Sequence, residues 1–182
     1  MSQTAAFIAR LTNERLLGPY EQSRLRALAG RGLDQDVEAF DLFTGVWWPL
    51  RQKNQNAPRR EIAWLIAKSY AAFPIRHTPC ERGGLTALEV ILGREERRLP
   101  EQDRWHFRQR FDSLLCTSLS DLESHLRWAL SVVRDAVIAG RSQGIDWVQL
   151  TDHLSIWDRK EEHRLARDIR DIWAEHYLKS LK

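Results

Sequence analysis

In the stretch RWHFRQRFDSLL, residues 104–115, Arg104, Arg108 and Arg110 stand among Trp105, Phe107 and Phe111 with no acid between them. A guanidinium offers a planar fork of donors that can meet a phosphate with two parallel hydrogen bonds, and it also stacks on flat rings. On a helix Arg104 and Arg108 lie one turn apart, where like charges cost about 0.2–0.5 kcal/mol. Asp103 and Asp112 only flank the cluster, and Phe107, Phe111 and Leu114 take the face that must enter a core. The pattern calls for an anion from outside the helix, and a phosphate backbone is the simplest one.

Arginines recur with helical spacing elsewhere. Arg127, Arg134 and Arg141 repeat every seven residues with Ser131 between them, so they share one stripe, although Glu123 and Asp135 are close enough in sequence to neutralise part of it. Near the N-terminus Arg24 and Arg31 are seven apart in EQSRLRALAGR, with Arg26 beside them. Arg59 and Arg60 open a later helix, where positive charge opposes the macrodipole. The 28 basic residues divide into 23 Arg and five Lys for a net charge of +3. A GC-rich genome raises Arg over Lys everywhere, so placement carries more weight than the ratio.

Enzymatic chemistry finds less support. His77 and Cys80 form an HxxC pair, and Asp152 precedes His153, but no third group completes either as a nucleophile and base. Glu95-Glu96 and Glu161-Glu162 sit among arginines and read as solvated faces. There is no GxxxxGK[ST] phosphate loop and no GxGxxG motif after a strand. Cys80 and Cys116 lack CxxC spacing, so both are expected as reduced thiols without a disulfide or zinc site. No enzyme activity, metal or cofactor is expected. The apolar runs are short and the N-terminus lacks the pattern of a signal peptide, so a cytoplasmic protein is expected.

The elements that must position these side chains are helices. Apolar residues recur at steps of three and four, and no stretch sustains the alternation of a half-buried strand. The fold class is all-α, about nine helices in two small helical-bundle subdomains. Leu119, Leu122, Leu126, Leu130, Val133 and Val137 mark one face of a helix over 119–139, with Ser120 as its cap and Gly140 or Gly144 as its stop. Other helices are expected over 3–17, 21–31, 36–44, 59–73, 85–92, 101–117, 146–157 and 159–181. GREERRLP, residues 93–100, marks the boundary between an N-terminal subdomain over 1–99 and a C-terminal one over 100–182. Trp64, Trp128, Trp147, Trp157 and Trp173 follow apolar periodicity and are expected in the core, whereas one of the adjacent Trp47 and Trp48 must face away from it.

The order of several segments resembles the CasB family, the small subunit of the type I-E Cascade CRISPR effector. These are RLRAL at 24–28, FDLFTGVWWPL at 40–50, IAWLIAKSYAAFP at 62–74, GGLTALEVIL at 83–92, RFDSLL at 110–115, LSDLESHLRWAL at 119–130, GIDWVQLTDHLSIW at 144–157 and RDIRDIWAEHYL at 167–178. The resemblance implies a non-catalytic, all-α protein present in two copies beside the backbone and large subunits. It also implies contact with guide RNA, target DNA and the displaced strand of the R-loop, and no membrane or small-molecule substrate. Family basic positions fall at Arg26, Arg110 and Arg127. The family's further basic positions meet Cys116 and Trp128 here, so Arg24, Arg108, Arg134 and Arg141 are local candidates and not inherited ones. The alternative is a protein-only helical adaptor, in which the arginines meet acidic surfaces of neighbouring subunits and Trp47 or Trp48 anchors the contact.

Overall fold

In the computed structural model, which describes residues 2–13, 15–32, 47, 58–80, 84–158 and 168–182, every regular element is a helix. The chain forms two compact units, Met1–Pro74 and Ile75–Lys182.

In the first unit, α1 (Gln3–Leu11) is capped by Ser2, whose Oγ accepts from the Ala5 amide at 3.1 Å, and it buries Phe7, Ile8 and Leu11. α2 (Pro19–Ala27) starts with proline in the first turn, where its missing N–H costs nothing, and it buries only Leu25. α3 (Arg60–Ala72) is buried from Ile62 to Ser69, and a helix covered on nearly every side is the centre of its unit. Even Lys68 is 5% exposed; its Nζ donates to the Arg31 carbonyl at 2.9 Å, and Trp64 Nε1 donates to the same oxygen at 3.1 Å. One carbonyl thus holds the end of the α2 segment to two successive turns of α3.

The second unit is built around α4 (Leu88–Arg98), which packs against α5 (Glu101–Cys116), α6 (Leu122–Ile138) and α8 (Ile169–Ser180). α7 (Trp147–Ser155) is capped by Asp146, whose Oδ1 accepts from the amides of Val148 and Gln149 at 3.0 Å. On α6 Leu122, Leu126, Leu130 and Val133 are fully buried, as their spacing requires. Its end is a Schellman turn. Gly140 takes φ +68°, its amide donates to Val137, and the Arg141 amide donates to Ala136.

Several elements differ from their sequence patterns. The first helix stops at Leu11 and not near 17, because the Asn13 carbonyl turns back to accept from Leu16 and Leu17. α4 runs on to Arg98 through the supposed break, since Gly93 is a contact point and not a stop: a Cβ there would lie 1.9 Å from Ser180 Oγ and 2.7 Å from the Tyr177 carbonyl. The expected division at 99/100 therefore falls inside the second compact unit, where α4 and α8 are packed together. α6 begins after Asp121 with no side-chain cap, and Ser120 bonds instead to Ser118 and Asp121. α8 begins at Ile169. The helix expected over 36–44 and the start of that expected over 159–181 lie outside the described residues. Trp64, Trp147, Trp157 and Trp173 are buried, while Trp128 is partly exposed.

Candidate nucleic-acid interface

The three arginines of the 104–115 stretch have three different fates. Arg104 turns back along the chain and caps the end of α4, donating from Nε to Leu99 O at 3.0 Å and from Nη2 to Arg97 O at 2.9 Å. Arg108 pairs with Glu96, a carboxylate with 0% exposure whose other oxygen accepts from the Tyr177 hydroxyl. Glu96 is thus no part of a solvated face but a buried tie between α4, α5 and α8. Arg110 has neither an acid nor a carbonyl partner among the described residues; its guanidinium lies over the Trp128 ring, 5.7 Å from the centroid.

On α6 the stripe divides in the same way. Arg134 donates to Asp135 at 2.8 and 3.0 Å. Arg141 grips both oxygens of Glu95 at 2.7 to 3.1 Å, and this hydrogen bonding raises its pKa above the ordinary arginine value. Arg127 has neither an ion pair nor a hydrogen bond among the described residues. It precedes Trp128, whose ring meets Phe107 edge-on at 5.1 Å and carries Arg110 on α5. Two arginines without carboxylate partners among the described residues therefore lie on neighbouring helices of the same unit, one over the partly exposed Trp128 ring and the other next to Trp128 in sequence.

In the first unit Arg26 is exposed and makes only a long intrahelical bond from Nε to Gln22 O at 3.4 Å. Arg24 lies over Tyr20 at 5.8 Å. Arg31 contributes its carbonyl to Trp64 and Lys68, and Arg60 lies 3.8 Å from Glu61. Arg59 occupies the N-cap position of α3 without a side-chain cap bond. Trp47 is 6% exposed and donates to Pro58 O at 2.8 Å, so it is not an exposed anchor; Trp48 lies outside the described residues.

The residues that suggested catalysis serve the loop and α7. His77 Nδ1 accepts from the Trp147 amide at 3.3 Å, and Cys80 donates its amide to Asp146 Oδ2 at 2.7 Å. Cys80 and Cys116 are free thiols. Asp152 is exposed, while His153 accepts from Trp173 Nε1 at 2.8 Å. Burial holds His153 below the usual histidine range, against the pull of Glu89 and Asp152. Among the described residues no group of three or more His, Cys, Asp or Glu gathers to hold a metal, and no helix is long and apolar enough to cross a membrane.

Nothing in REERR distinguishes fully buried Glu96 from its more exposed neighbours except its phase relative to Leu92, one turn earlier on the core side.

Fold and surface together define an all-helical protein with cationic side chains displayed on short helices. The model of the CRISPR-associated protein Cse2 family matches residues 21–178, and the chain belongs to that family, the small subunit of type I-E CRISPR Cascade. This is a family of structural subunits of the complex and not a known enzyme family. No curated protein matches the chain in sequence.

Proposed function

We propose that the chain acts without catalysis in a cytoplasmic type I-E Cascade, in two copies beside the backbone and large subunits, and steadies the R-loop. It does so by arginine–phosphate contacts to the guide RNA–target DNA duplex and to the displaced strand. The observation that carries this reading is the pair Arg110 and Arg127, which lack carboxylate partners among the described residues, with Arg110 over the Trp128 ring. Arg26, exposed on α2, is the matching position in the first unit, with Arg24 beside it. Arg108 and Arg134 already pair with Glu96 and Asp135, which leaves less of their charge for a phosphate. The contacts are to the backbone, because sequence is read by guide pairing.

Single-stranded DNA binding by the whole chain across a salt series tests this. Three neutralised phosphates give a log–log slope of about −2, and each of Arg110→Ala and Arg127→Ala flattens it by about 0.7. A slope near zero for the unmodified chain would overturn the proposal.

A protein-only adaptor draws support from Trp105 and Ile138, exposed by 61% and 77%. Arg110→Glu separates the readings. Loss of strand binding supports the phosphate contact, whereas blocked assembly with unchanged strand binding supports the adaptor.

A further inference from the structure

α4 presents Val90, Arg94 and Arg97 at i, i+4 and i+7, one stripe along one side of the helix. Across from it α8 presents His176, Lys179 and Ser180. The two helices touch at Gly93, and the side chains of these stripes line a groove of about 600 Å³, a size typical of ligand sites, with Leu85 at its edge.

Among the described residues no Asp or Glu side chain lines this groove, and Lys182 completes its lining. The guanidinium groups of Arg94 and Arg97 have no hydrogen-bond or ion-pair partner among the described residues, and Arg94 is only partly exposed. Their neighbours are treated differently: Arg98 lies 3.6 Å from Glu95, and Arg141 holds the same carboxylate at 2.7 Å. Lys179 pairs with Glu175, and His176 Nδ1 lies 2.9 Å from buried Glu89, behind the groove. Basic residues in the last turns of α4 and α8 suit the macrodipoles. That accounts for their sign but not for their convergence on one concavity, nor for leaving a partly buried guanidinium without an acceptor.

We propose that the groove between α4 and α8 is a second phosphate-binding site, in which Arg94 and Arg97 grip the phosphate and Lys179 adds charge. Three cations around one cleft match the multiple charge of phosphate better than a single carboxylate, and Leu85 and Val90 give an apolar wall for an attached sugar or base. The phosphate belongs either to a nucleic-acid strand or to a free phosphate compound. The site uses none of the side chains of the Arg110–Arg127 face and stands or falls apart from it.

Amide ¹H–¹⁵N spectra of the whole chain, titrated separately with oligothymidylate and inorganic pyrophosphate, test the proposal. Saturable shifts are expected at Arg94, Arg97, Lys179 and Ser180, lost in Arg94→Gln/Arg97→Gln and kept in Arg110→Gln/Arg127→Gln. Lys179→Gln, which weakens the same shifts, serves if the double variant does not fold. Shifts with both probes identify a free-phosphate site, and shifts with the oligonucleotide alone identify a strand site. Oligonucleotide shifts confined to α5 and α6 overturn the groove and leave the proposed function standing; shifts with neither probe overturn both. Groove shifts induced by polyglutamate but by neither phosphate probe also overturn the proposal.

Discussion

At the scale of single residues, the chief lesson is how differently one side chain type is used within a few positions. Arg104 satisfies the last carbonyls of α4, Arg108 neutralises buried Glu96, and Arg110 rests on Trp128. Arg108→Ala leaves Glu96 in the interior with only the Tyr177 hydroxyl, and such a partly orphaned carboxylate costs about 1–3 kcal/mol, kept to that range because the Arg108 side chain is half exposed. Urea unfolding should show a lowered midpoint at unchanged slope, while the salt dependence of strand binding stays that of the unmodified chain. Arg127→Ala should do the opposite, flattening the salt dependence and leaving the unfolding midpoint within about 0.5 kcal/mol of the original.

At the scale of elements, helix type was legible in the sequence and helix ends were less so. The α6 face from Leu122 to Val133 is where its periodicity put it, because fully apolar spacing admits one burial pattern. The stop after residue 92 failed because glycine is ambiguous: it ends helices, and it also lets two helices approach. Only α8, distant in sequence, decides that Gly93 does the second. Gly93→Ala should push α8 away from α4 and cost about 1–3 kcal/mol in the unfolding free energy. The candidate site was legible in part for a related reason. Local spacing and the family resemblance offered Arg110 and Arg127 as candidates, but the partners that occupy Arg108 and Arg141 come from α4, 12 and 46 residues away in the chain.

At the scale of the whole molecule, cationic positions occur in both compact units, Arg26 in the first and Arg110 with Arg127 in the second. These side chains share no partner, so their effects on binding should add. Arg26→Ala and Arg127→Ala should each change the salt slope by about 0.7, and the double variant by about 1.4. Binding should be equal for strands of different sequence at one salt concentration, as backbone contact requires. α5, for its part, contributes only Phe111 and Leu114 to the buried set among its 16 residues. Arg104, Phe107 and Arg108 are also tied to α4 or α6, but its remaining exposed positions can accept substitution without the fold registering it. Charge there can be gained, lost or moved by single codon changes, so descendants of this chain can retune their grip on a partner while inheriting the same interior.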